Sequence, residues 1–174
     1  MVKRASKWSS GSRTTIGSKL KNLLKPKPPL KARLTEIIYK LEVQEEKLKE
    51  TINRLKKREQ ELFHRTISEY LAKDFARAAI YASEVAELRK IIKVVYASSL
   101  ALERVKIRLE TVRDLGDVAV IFAPLVPVLK ELKNQLSGII PEIAIGLDEV
   151  SNTMNNMLLE FGEASSTVVT VNLM

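Results

Sequence analysis

Between residues 30 and about 70 the chain has neither Gly nor Pro, and Leu34, Ile38, Leu41, Glu45, Leu48, Ile52, Leu55, Glu59, Leu62 and Thr66 follow at alternating steps of four and three. That spacing keeps one face of an α-helix in register, so the segment reads as a heptad seam with three polar interruptions among Lys, Arg, Glu and Gln. A helix of this length is a rod of about 50–60 Å. A second helical pattern runs from about 74 to 115. Its stripe opens with Ala78, Ala79, Ala82 and Ala86, small enough for close helix approach, and continues through Leu88, Ile91, Val95, Leu102, Val105, Leu109 and Val112. Two long helices in succession, each with one apolar stripe, bury those stripes against each other as an antiparallel hairpin. The reversal falls between His64 and Asp74, where no Gly or Pro marks it.

Beyond the hairpin the elements shorten. Gly116 interrupts the pattern, and Asp117 is a candidate cap for a third helix over 117–136, with Pro124 and Pro127 near its first turn or kinking it. Ser137-Gly138 and Pro141 punctuate the chain before a fourth helix over roughly 141–161, with Ile143, Leu147, Val150, Met154, Met157, Leu158 and Phe161 as its stripe. That stripe reads as packing surface. Gly116, Gly138 and Gly146 are candidate hinges, and Val168-Val169-Thr170-Val171 is a β-prone tail. At the other end, Ile16, Leu20, Leu23 and Leu24 share one face of a short cationic helix. Lys25-Pro26-Lys27-Pro28-Pro29 ends it as a stiff spacer, because proline disfavours helix in the residue before it and donates no backbone hydrogen bond. The expected fold is all-α: a short amphipathic N-terminal helix, a long antiparallel helical hairpin, then shorter hinged helices. The divisions are a basic arm and Pro-rich linker (1–29), a helical core (30–162) and a tail (163–174).

Composition removes most chemistry. Six Gly and six Pro in 174 residues are too few for the turns of an all-β fold. No Cys is present, which excludes disulfides, thiol catalysis and Cys-based metal sites, and His64 is the only histidine. Neither a phosphate-binding Gly loop nor a metal-ligand cluster is discernible, and no catalytic residue, metal, cofactor or small-molecule substrate is expected. Glu45-Glu46, Glu59/Glu61 and Glu84/Glu87 read as helical ion-pair partners on a wet face. His64 reads as a surface residue near the hairpin tip. No stretch reaches the roughly 20 apolar residues of a membrane-spanning helix, and the opening lacks the apolar core of a secretory signal, so a soluble intracellular chain is expected.

Charge is unevenly spread. Residues 1–33 carry ten bases and no acid; 34–133 are nearly balanced at +3; from Asn134 onward Glu142, Asp148, Glu149, Glu160 and Glu163 stand without a single base. The leader, with Lys3, Arg4, Lys7, Trp8, Arg13, Ile16, Lys19, Leu20, Lys21, Leu23, Leu24 and Lys25, suits an anionic bilayer. Its leucines enter the acyl boundary, the ammonium groups stay with the headgroups, and Trp8 sits at the interface. Competing readings are docking of 16–24 on the hairpin, a mitochondrial presequence, and a nucleic-acid-binding arm on a coiled-coil adaptor, the last weakened by the lack of any base-reading motif. The acidic end can shield the basic head of its own chain or meet that of a neighbouring copy.

The stretch Ala72-Lys73-Asp74-Phe75-Ala76-Arg77, continuing through Tyr81 to Leu88-Arg89-Lys90, resembles the start of the second core helix in ESCRT-III proteins. Arg113-Asp114-Leu115-Gly116 before a Val- and Pro-containing third helix, together with the absence of Cys, is similar to the archaeal cell-division branch, the CdvB-type paralogues. The resemblance covers roughly residues 30–160. It implies a non-enzymatic subunit that polymerises with itself and with paralogues on anionic membrane and acts in constriction and scission, at the cytoplasmic face of the cell membrane and the division site. In that family the polymer forms when a closed form opens and the second and third helices become continuous, which makes Gly116 the matching hinge. It also implies disassembly by an AAA-type ATPase. The family's proline-containing C-terminal motif for that ATPase has no counterpart, since no Pro follows Pro141, so the contact would run through another paralogue or a segment outside this sequence.

Overall fold

A computed structural model describes the backbone of residues 28–171 and the side chains of 28–161. The amphipathic leader expected over 15–25 lies outside the described residues. Four helices make up the described chain: α1 (Leu30–Leu71), α2 (Phe75–Leu109), α3 (Leu115–Ser137) and α4 (Pro141–Val171). Helix α1 starts where the proline run stops, with Pro29 in polyproline geometry (φ −59°, ψ 151°) and its carbonyl accepting from the N–H groups of Ala32 and Arg33.

The hairpin reversal lies inside the expected window, and its construction explains why the sequence did not mark it. Lys73 takes the left-handed conformation, φ 64°, that glycine usually fills. Its N–H donates to Tyr70 O and the Asp74 N–H donates to Glu69 O, the paired bonds of a Schellman ending. Asp74 then caps α2, its carboxylate accepting from the Arg77 N–H at 3.1 Å.

Helices α1 and α2 pack along each other, α3 and α4 form a second hairpin, and α4 and α3 lie back against α1 and α2 respectively. The base of the molecule is therefore a closed four-helix bundle. Its core contains Ile37, Leu41 and Leu48 from α1, Leu102 and Leu109 from α2, Phe122, Leu129 and Leu136 from α3, and Ile143, Leu147, Met154 and Met157 from α4, all essentially without solvent contact. Helix α1, at 42 residues, is about 63 Å long, whereas α3, at 23 residues, is about 35 Å. The hairpin tip accordingly projects beyond the bundle, held by a narrow seam that includes Leu62, Ala78 and Val85.

Several expectations need correction. Ala79, Ala82 and Ala86 are exposed. In the two-helix tip the inward positions of α2 are Ala78, Tyr81, Val85 and Leu88, at steps of three and four, with Ala78 and Val85 fully buried and the other two half-buried. Helix α2 stops at Leu109, short of residue 115, and the buried Val112 sits in the connection to α3. Pro124 and Pro127 lie in the interior of α3 on its exposed side, where water can reach the carbonyls deprived of a helical donor. Helix α4 runs to Val171, so Val168-Val169-Thr170-Val171 is helical rather than extended: β-branched residues lower helix propensity only slightly. Gly146 is no hinge. It lies inside α4, and a Cβ there would come within 2.5 Å of the Gln44 carboxamide, so the glycine permits α1 and α4 to approach.

Candidate membrane-facing row and hinges

Three faces of α1 do different work. The face toward α2 carries the expected seam, and two of its polar interruptions are cross-hairpin ion pairs. Glu45 Oε2 lies 2.6 Å from Lys106 Nζ, and Glu59 Oε1 lies 2.7 Å from Arg89 Nη2, whose guanidinium also stands 5.7 Å from the centre of the Phe63 ring. These pairs set the register of the hairpin. Glu45 is not on a wet face as expected: only 5% of it is exposed, with Lys49 as its second cation at 2.8 Å. Burial pushes its carboxyl pKa up, but the hydrogen bonds and charges of Lys106 and Lys49 together outweigh that and hold it below the ordinary carboxylate value.

A second face includes the buried heptad-spaced Ile37, Gln44 and Thr51, with Gln44 against Gly146 of α4. A third face, beside it, is basic. Arg33, Lys40, Lys47 and Arg54 recur every seven residues, and Arg58 and Arg65 continue the row; at about 100° per residue all six fall within about 60° of one another. The lower half of this row meets the acidic fourth helix. Arg33 makes a forked bond to Glu160, 2.8 Å and 3.4 Å, and Lys47 pairs with Glu142. Lys40 is held by its own helix through Glu36 at 3.1 Å. The upper half, Arg54, Arg58 and Arg65, is exposed on the projecting hairpin, with Glu61 next to Arg58 at 3.5 Å. In the sequence this row is a seven-residue repeat of bases, separate from the charge concentrated in the leader and the tail.

Of the residues proposed for membrane contact from the sequence, Lys3, Arg4, Lys7, Trp8, Arg13, Ile16, Lys19, Leu20, Lys21, Leu23, Leu24 and Lys25 all lie outside the described residues. The two hinge candidates are placed. Gly116 is in the first turn of α3, its N–H donating to the Asp114 carboxylate at 2.8 Å, and a Cβ there would stand 3.1 Å from that oxygen. The connection proper is residues 110–114, where Asp114, not Asp117, is the cap, while the Asp117 carboxylate accepts from the Arg113 N–H at 2.9 Å. Gly138 ends α3 with open space around it, and Pro141 starts α4 where its missing N–H costs nothing. Across that second hairpin Lys133 donates to Asp148 at 2.8 Å, and this bond, with the lysine's charge, holds the Asp148 carboxyl below its ordinary pKa.

Among the described residues no helix is long and apolar enough to cross a membrane, and no group of three or more His, Asp or Glu is placed to hold a metal ion. His64 is exposed near the tip, as expected.

The chain is 39% identical over 149 residues to the cell division protein B1 of Sulfolobus acidocaldarius, a match covering 86% of this chain and 70% of the relative. It belongs to the cell division protein B family. Cell division protein B of the same organism is 40% identical over 141 residues, 81% of this chain, and cell division protein B3 is 37% identical over 79 residues. The chain spans 54% of the length of cell division protein B and 46% of cell division protein B3. No protein-family model matches the chain, and no solved structure matches it. The resemblance to the archaeal cell-division paralogues thus holds over most of the sequence. The all-helical architecture expected of a cell division protein B relative is the one observed over the described residues.

Proposed function

We propose that this chain is a filament subunit of archaeal cell division. It assembles with copies of itself and with paralogues on the anionic cytoplasmic face of the cell membrane and takes part in its constriction, without catalysis of its own; an AAA-type ATPase would return it to solution. The observation that carries the proposal is the basic row of α1, two of whose six cations, Arg33 and Lys47, pair with carboxylates of α4. A row of cations on a rigid rod is the complement of a headgroup surface. Release of α4 would add Arg33 and Lys47 to Arg54, Arg58 and Arg65, joining the leader in one contact. If residues 110–114 then became helical, α2 and α3 would form one rod, the polymerising form that the family resemblance implies.

Co-sedimentation with vesicles tests this. The full chain should bind vesicles containing anionic lipid and ignore neutral ones. At about 1 kcal/mol per base near the surface, loss of Arg54, Arg58 and Arg65 to Glu should weaken binding on the order of a hundredfold or more. Electron microscopy of the bound fraction should show filaments. Indifference to lipid charge combined with a mobility shift of duplex DNA at physiological salt would overturn the proposal in favour of a nucleic-acid-binding adaptor.

A further inference from the structure

At the base of the bundle, where α1 begins beside the connection from α2 to α3, lies a half-open groove of about 710 Å³. Its apolar walls are Leu30, Leu34 and Ile38 of α1 and Val112 of the connection, and Thr35 lies on it. Lys31, Arg113 and Glu110 stand on its rim. We infer that this groove is the docking site of the chain's own residues 16–24, which sheathe there the apolar face that would otherwise enter a bilayer.

Three observations identify the occupant. First, the chain outside the described residues joins at the groove itself: Pro29 and Leu30 line it, and residues 16–24 are separated from them by a short Pro-rich spacer. So short a tether holds the leader near the groove at an effective concentration in the millimolar range. Second, the lengths agree. The α1 side of the groove, from Pro29 to Ile38, extends about 14 Å, and a helix over 16–24 extends about 12 Å. The spacer over 26–29 reaches about 12 Å in polyproline geometry, enough to deliver Leu24 to either end of the groove. Third, the chemistry matches face to face. Ile16, Leu20, Leu23 and Leu24 form a stripe one to two side chains wide, and the groove offers an aliphatic wall of the same kind. Two bases and one acid on the rim give no net pull on a leader rich in lysine, so apolar burial drives the docking. Salt should therefore barely affect docking, whereas it weakens attraction to anionic lipid. The leader would leave the groove only for a surface that offers both apolar depth and negative charge.

The absence of native cysteine makes the test direct. In the full chain, at dilution and without lipid, Leu20→Cys with Thr35→Cys should form an intramolecular disulfide under mild oxidation, equally at low and high salt. Ser18→Cys with Thr35→Cys, whose leader cysteine lies on the opposite side of the helical wheel, should form it several-fold more slowly. Equal rates for the two pairs would overturn the inference. Thr35→Trp, which fills the groove from an exposed position without replacing a core side chain, should release the leader. Its effect on lipid rests on the proposed membrane function: if the leader is docked 70–90% of the time, affinity for anionic vesicles should rise about three- to tenfold. A disulfide confined to the Leu20 pair in a chain that ignores vesicles would uphold the docking and defeat the membrane reading. Vesicle binding unaltered by Thr35→Trp, with no preference between the cysteine pairs, would do the reverse.

Discussion

Lys106→Met removes one charge from the middle of the α1–α2 seam and keeps the side chain's length. Lys106 Nζ lies 2.6 Å from Glu45 Oε2 and 3.9 Å from Glu42 Oε1, and its side chain is 17% exposed against 7% for Glu45. Breaking a buried pair by removing one partner costs about 3–5 kcal/mol, because the other charge remains without compensation. Here Lys49 stays within reach of Glu45, an i, i+4 partner of the kind worth about 0.3–0.5 kcal/mol when exposed, and some solvent reaches the lysine site. The expected loss is therefore about 2–3 kcal/mol, or about 4–12 °C in Tm at the roughly 2–4 °C per kcal/mol usual for a chain of this size.

The pH dependence supplies a sharper signature. In the wild type the Glu45 carboxyl is held below its unfolded value, so its stabilisation is present above the ordinary carboxylate pKa and is lost as pH falls through the lowered folded value. Without Lys106 the carboxyl loses the larger of its two cationic partners and moves upward, so its ionised form stabilises the fold less than in the wild type, and the difference vanishes once acid protonates it. The deficit of Lys106→Met should therefore be largest near neutral pH and shrink toward pH 4, as read by urea unfolding at each pH. Replacing both partners, Glu45→Leu with Lys106→Met, should recover most of the loss. A deficit that does not vary with pH, or a double variant no better than the single one, would refute the argument.

Other substitutions test local steps. Lys73→Gly should raise stability by about 1 kcal/mol in thermal unfolding, because the left-handed residue of the hairpin turn then carries no Cβ penalty. Asp114→Ala should lower it by about 1 kcal/mol and speed hydrogen exchange in the first turn of α3, since its carboxylate serves the N–H groups of Gly116 and Asp117. Glu142→Lys with Glu160→Lys should loosen α4 from α1 and increase binding to anionic vesicles, with little change for neutral ones.

The hairpin was legible because its signal is local and repeated: ten seam positions at heptad spacing can be read before anything is known of the partner helix. The turn at Lys73 was not, since a lysine in a glycine's place leaves no trace in composition. Nor was the second buried face of α1. Ile37, Gln44 and Thr51 lie off the ten-position seam yet are buried, Gln44 beneath Gly146 from about a hundred residues later in the chain. The same long-range contact reassigned Gly146 from hinge to helix-packing notch. Glu45 was placed on the correct seam by periodicity, but its burial depended on the depth of the bundle, which periodicity alone does not convey. The basic row of α1 is a plain repeat of seven, but the acids interspersed over 34–133 nearly cancel it in net charge, so it shows only when the bases are placed on a helix.

The seams of the bundle are unequal, and the inequality indicates where it would part. The hairpins α1–α2 and α3–α4 are joined by short turns and rich in aliphatic side chains, so each should persist as a unit. Where α1 meets α4, by contrast, Gln44 buries a carbonyl oxygen without a hydrogen-bond partner beside Gly146; Ser151, elsewhere on α4, is fully buried with its hydroxyl likewise unpartnered. The ion pairs at this seam are partly exposed, which makes each worth little. Unpartnered buried polar groups regain water when the helices separate, so separation recovers free energy that parting an aliphatic seam would not. On the proposed reading, the cations that hold α4 also belong to the row that would face lipid. Anionic headgroups would then compete with Glu142 and Glu160 for the same Arg33 and Lys47, and the membrane itself would shift the molecule from its closed form without any separate signal.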